Sequence, residues 1–131
     1  MNAPVILDSS VLLAIALIEK RGEKARSLIR ASRGYCYIHS VNAYEVASKL
    51  MIKGANESDA WDAAAFGGVI LIDEISDEMS RLAARLKVPH QYLSLGDCHC
   101  LAFAEEMGGQ LLITDERLAG ASKIVKTVHL Q

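Results

Sequence analysis

The sequence predicts an α/β sandwich: a single domain over residues 1–131, with a mostly parallel central sheet covered by helices on both faces. Three observations lead there. Short apolar runs recur along the chain with helical periodicity between them, and strands separated by helices pair in parallel. The runs lack polar alternation, as strands buried on both faces do. With 131 residues, 51% hydrophobic and 23% charged, the chain can bury one ordinary core.

The elements follow in order. Val5-Ile6-Leu7 reads as a strand, and Ser9 or Ser10 can cap a helix running to about Leu17. A second helical pattern covers about Glu23 to Ala31 and ends near Gly34, before a brief strand from Tyr35 to Ile38. Helical periodicity returns from Val41 to about Ile52, stopped by Gly54, and a polar helix spans about Glu57 to Ala65. Val69 to Ile72 is the next strand, followed by a helix from Ser76 to about Leu86 that Pro89 terminates. Ser94 opens a helix to Met107, with Gly108-Gly109 as its stop. Leu111-Leu112-Ile113 is a buried-strand run, and Ile124 to Leu130 reads as the last strand. There is no repeat, linker or low-complexity segment.

Composition narrows the function. A formal charge of −2 offers no general attraction to nucleic acid. The apolar run from Val11 to Ile18 follows an acid and is far shorter than the ~20 residues of a membrane span. Three cysteines cannot all pair, and nothing resembles a secretory signal, so the expectation is a cytosolic protein with reduced thiols and no membrane association.

Four acids are placed for chemistry. In open α/β sheets ligands bind beyond the carboxyl ends of the strands. Asp8 in "VILDSS" and Asp115 in "LLITDE" follow apolar strands directly. Glu45 in "HSVNAYEVASKL" and Asp97 in "LSLGDCHC" lie near helix starts in apolar surroundings. Each alone has an ordinary reading: Asp8 as an N-cap, Glu45 as an exposed helix residue, Asp97 as half of a capping box with Ser94, Asp115 as a turn acid. Together they mean more, because two carboxylates about 4 Å apart repel by roughly 4 kcal/mol at an effective dielectric of about 20. Such a cluster raises its own pKa values or recruits a cation, and oxygen-only ligands suit Mg²⁺ or Mn²⁺. The neighbouring Cys98, His99 and Cys100 point about 100° apart in succession on a helix and cannot converge on one ion. Cys36 is a possible partner for one of them, but Cys98 and Cys100 fit small core positions better.

"VILDSSVLLA", "SVNAYEVASKL", "LSLGDCHCLAFAEEMGGQLLITDERLA" and "VKTVHL" resemble, in order and spacing, the PIN-domain ribonucleases, and most of all the VapC-type toxins of bacterial toxin–antitoxin pairs. The resemblance runs from about Val5 to Leu130. It implies a parallel sheet flanked by helices, with Asp8, Glu45, Asp97 and Asp115 gathered at one end to bind Mg²⁺ or Mn²⁺ for hydrolysis of RNA. Ser10 matches the hydroxyl residue that supports the first aspartate. The fourth motif departs from the family's threonine-x-aspartate: Ile113 stands two before Asp115, while Thr114 stands two before Glu116. Asp115 is favoured because it follows the strand directly, and Glu116 stays a substitute. The resemblance further implies a homodimer and a small antitoxin, lying in a groove formed partly by the first helix.

With four of the sixteen acids assigned to the site, the net −2 becomes +2 over the remaining surface. RNA would then be held by local cations: Lys20, Arg21, Lys24, Arg26, Arg30 and Arg33, with Lys49 and Lys53 as weaker candidates, unless these simply form solvated helix faces. Two rivals stand beside the nuclease. A phosphoacceptor receiver-like module needs an aspartate after a central strand, for which Asp73 is the candidate, and a lysine after a later one, which "LLIT" lacks. A non-catalytic RNA-binding or regulatory module of the same fold would be expected to lose one or more acids, and all four positions are filled.

Overall fold

The computed structural model describes residues 2–114, 116–119 and 127–130. Its strands are β1 (Val5–Leu7), β2 (Cys36–His39), β3 (Ile70–Ile72), β4 (Gln110–Ile113) and β5 (Thr127–His129). They form one sheet in the order β3-β2-β1-β4-β5, with every pairing parallel. The helices are α1 (Ser9–Ala16), α2 (Lys20–Ala31), α3 (Ser40–Ile52), α4 (Glu57–Ala64), α5 (Asp77–Lys87), α6 (Leu95–Met107) and a four-residue α7 (Glu116–Ala119). This is the expected α/β/α sandwich. No described helix is long and apolar enough to cross a membrane.

Strand side chains alternate between two cores, which explains why the sequence does not alternate in polarity. Val5 and Leu7 of β1, Ile38 of β2 and Leu112 of β4 pack with α1 to α4, while Ile6, Leu111 and Ile113 pack with α5 and α6. Burial on both faces holds for β1 and β4 but not for β3, where Ile70 and Leu71 are exposed at the sheet edge. Asp73 therefore follows an edge strand, which removes the geometry a receiver-like module needs.

Several boundaries differ from the sequence reading. The N-cap of α1 is Asp8, not a serine: its side chain accepts from the Ser10 N–H. α2 starts at Lys20, ahead of the first periodic residue, because its opening residues, Lys20 and Arg21, carry no apolar mark. α7 is too short to carry a periodicity. Residues 124–126 of the expected last strand lie outside the described residues; its remainder forms β5.

His39 ties the layers together where β2 enters α3. It is fully buried and caps α3, its Nδ1 accepting from Val41 N–H at 3.2 Å. Nε2–H donates to the Glu74 carbonyl at 2.9 Å, and the ring meets Phe103 of α6 edge-on at 5.1 Å. His39→Ala removes a cap, strands a carbonyl and leaves a void. We expect it to lower unfolding stability by about 2–4 kcal/mol, read from the urea midpoint at unchanged slope.

Candidate active site

The strand order reverses about β1: β2 and β3 lie on one side, β4 and β5 on the other. A crevice opens outside the carboxyl ends at such a switch point. Asp8 leaves β1 directly into it, and Thr114 leaves β4 beside it. Ser10 joins the two, its hydroxyl donating to Asp8 Oδ2 at 2.6 Å and accepting from Thr114 N–H at 3.2 Å. The other oxygen, Asp8 Oδ1, is buried and finds no hydrogen-bond partner among the described residues.

Asp97 reaches the same region from the first turn of α6. It forms a complete capping box: Asp97 N–H donates to Ser94 Oγ at 3.1 Å, and Ser94 N–H donates to Asp97 Oδ2 at 2.9 Å. The ordinary reading of this residue is therefore real, and it orients the carboxylate. Glu45 comes from α3, which packs across α6. Its placement depends on a missing atom: a Cβ at Gly96 would lie 2.0 Å from Glu45 Oε1. Glycine is required there so that α6 can approach the Glu45 carboxylate.

Asn42 was not among the sequence candidates, yet it connects these elements. Its Nδ2 donates to Glu45 Oε1 at 3.1 Å and to the Gly96 carbonyl at 3.2 Å. The available signal was its position one helical turn before Glu45. Arg117 of α7 stands 3.9 Å from Asp97 Oδ2 and gives the acids a cation. Arg21, grouped above with the RNA-binding cations, instead donates to the Thr114 carbonyl at 2.9 Å and pairs with Glu19.

The three described acids act on one another. Burial, reinforced by the charges of Asp97 and Glu45, pushes the Asp8 carboxyl up to about 6 despite the two bonds from Ser10. Burial also raises Glu45, with Lys49 opposing and Asp97 adding to the rise. Among the described residues, however, no three His, Cys, Asp or Glu side chains are gathered closely enough to hold a metal ion. Asp115 lies outside the described residues, and Glu116 is exposed at the start of α7.

The cysteines take no part. Cys36 is buried in the core beneath α1 to α4, whereas Cys98 and Cys100 are buried in the core on the other face. His99 bonds locally to the Leu95 carbonyl.

The PIN domain family model matches residues 5–124. The chain belongs to the PIN domain family. No curated protein sequence matches it significantly. A chain of VapBC2 from Rickettsia felis, bound to a DNA fragment from its promoter, superposes with a TM-score of 0.74 at 10% identity, covering 97% of this chain and 98% of that one. A toxin–antitoxin complex from Klebsiella pneumoniae gives 0.73 at 17% identity, over 96% and 99%. Mycobacterium tuberculosis VapC20, a sarcin–ricin loop cleaving toxin, gives 0.73 at 17% identity, over 89% and 94%. At these identities the likeness is one of fold.

Without a bound cation, ionised Asp8 weakens the PIN fold. A carboxyl raised in the folded state binds more protons than in the unfolded chain, so stability falls as pH rises from about 4 through 6. Asp8→Asn, measured in chelator, is expected to stabilise the protein by up to about 3 kcal/mol at pH 7. That gain should vanish below pH 4, and thermal melts of both proteins across this range would show it.

Proposed function

We propose that this PIN-domain protein is a divalent-metal-dependent endoribonuclease, hydrolysing RNA phosphodiester bonds at the Asp8, Glu45, Asp97 and Asp115 site, and that it is the toxin of a toxin–antitoxin pair. The observation that carries the reading is the buried Asp8 Oδ1, without a hydrogen-bond partner among the described residues, where the Glu45 and Asp97 charges also act. An acceptor left without a donor among acids is suited to a cation.

The donor set fits Mg²⁺ or Mn²⁺, being made of carboxylate oxygens held by protein hydrogen bonds. Asp8, Glu45, Asp97 and Asp115 would hold the ion, with Ser10 and Thr114 supporting the first and Glu116 as substitute for the last. When bound, such an ion supplies an activated water and positive charge facing the phosphate. The protein's own share is positioning. Ser10 holds one Asp8 oxygen and leaves the other available, Ser94 fixes Asp97, and Asn42 fixes Glu45. Arg117 offsets part of the acidic charge that would otherwise repel an RNA phosphate.

Exposed apolar residues favour a protein partner. Leu17 and Ile18 end α1 in solvent; Ile18 is 91% exposed and sits at φ 53, a backbone region that β-branched residues rarely adopt. Tyr44, Ile52 and Trp61 on α3 and α4 add to the exposed apolar surface of that layer. A small antitoxin over this region, and a homodimer, fit a cytoplasmic toxin of this kind.

The purified chain should cut total cellular RNA with Mg²⁺ or Mn²⁺ and not in EDTA. Asp97→Asn should lose at least about a hundredfold of that activity, the upper range for disturbing a metal's ligand shell. Equal cutting by both proteins would sink the assignment, and binding without cutting would favour the non-catalytic member of the fold. Gly96→Ala displaces the flexible end of Glu45 rather than backbone. It should lower activity about tenfold or more while leaving the circular dichroism and melting temperature nearly unchanged.

A further inference from the structure

A second charged locus lies away from the acids. Arg26, Arg30 and Arg33 line a pocket of about 260 Å³ together with Phe66, Gly67 and Gly68. Arg33 lies between α2 and β2, and Gly68 lies two residues before β3. In a parallel sheet these are the amino ends of the strands, so the pocket opens opposite the carboxylates.

Its charge is uncompensated. Arg21, Arg81 and Arg117 each stand against a carboxylate, but none of Arg26, Arg30 and Arg33 makes an ion pair among the described residues. Arg26 and Arg30 are four residues apart on α2, the spacing at which like charges destabilise a helix, and Arg33 lies just beyond its end. Part of the arrangement is already in place: the Arg26 guanidinium lies over the Phe66 ring at 5.3 Å, and the Arg33 stem packs 3.6 Å from where a Gly68 Cβ would be. Arginine rather than lysine supplies the forked donors that match a phosphate.

We infer that this pocket binds a backbone phosphate of the RNA substrate, anchoring the strand at the end of the sheet opposite the cut. The inference rests on the nuclease reading. α2 is roughly 18 Å long, so a contact at its carboxyl end is remote from the reacting phosphate. It adds affinity to ground and transition states alike, raising KM when lost and leaving kcat unchanged. Phosphate contacts of this kind carry no sequence preference.

The test compares two variants that each remove two positive charges from the full chain: Arg30→Gln with Arg33→Gln, and Arg81→Gln with Arg85→Gln on α5. Binding of a fluorescein-labelled single-stranded RNA of mixed sequence is followed by anisotropy in EDTA, against salt. The pocket variant should bind about tenfold more weakly at low salt, with a salt slope shallower by about 1.4, the value for two lost contacts to a single strand. The α5 variant should retain the parent's slope, and steady-state cleavage with Mg²⁺ should show a raised KM for the pocket variant only. Equal losses in both variants would reduce the pocket to diffuse charge and overturn the inference, as would an unchanged pocket variant. A parent that binds and cuts RNA while the pocket variant matches it refutes the anchor alone. A parent that binds no RNA in EDTA refutes the anchor, and one that also fails to cut RNA with Mg²⁺ or Mn²⁺ refutes the nuclease with it.

Discussion

Burial of carboxylates beside one another is the constraint on which the rest of the molecule depends. Acids brought together in a partly buried crevice oppose folding, and the fold holds them there by giving each its own rigid support. Asp8 is fixed as a helix cap with one oxygen bonded twice to Ser10. Asp97 is locked in a capping box. Glu45 is held by Asn42 against a helix turn that has no Cβ to block it. These supports are short-range, so each acid is oriented by its own element before the elements meet. The remaining tension appears in Asp8, whose carboxyl is pushed up by burial to about 6 and whose second oxygen has no donor among the described residues.

The sheet topology brings those local devices to one edge of the sheet. All described strands run parallel, so every strand delivers its following residue to the same edge. Reversal of the order about β1 puts the switch point of the described sheet there, where ligands bind in such folds. α3 and α6 belong to opposite layers, yet both begin at that edge. Their contact brings Glu45 close enough to Asp97 for the charge of one to act on the other. His39 and Phe103, touching at the same junction, make the meeting of the layers rigid.

Charge is divided along the molecule's length in a way composition hides. A net of −2 joins an acidic carboxyl edge to an arginine-lined amino edge. On the proposed reading, the acidic edge must still accept a polyanion, and cations set apart from it would hold the strand without neutralising the acids. Arg21 and Arg117, by contrast, are drawn to the acidic edge, one on a carbonyl and one beside Asp97.

The sequence by itself determined the order of elements other than the short α7, the parallel sandwich and the acids at strand and helix ends. Those depend on local periodicity and on the rule that strands joined by helices run parallel. It also separated the aspartate of "LSLGDCHC" from its sulfur neighbours, because helical geometry alone sends adjacent side chains in different directions. Only the tertiary structure decided which cations stand beside the acids, that Asn42 links α3 to α6, and that Gly96 makes room for Glu45. Arg26, Arg30 and Arg33 likewise became a pocket only once Phe66 and Gly68 closed against them. The reason is physical: these are contacts between residues far apart in the chain, and no local pattern records which surfaces will meet.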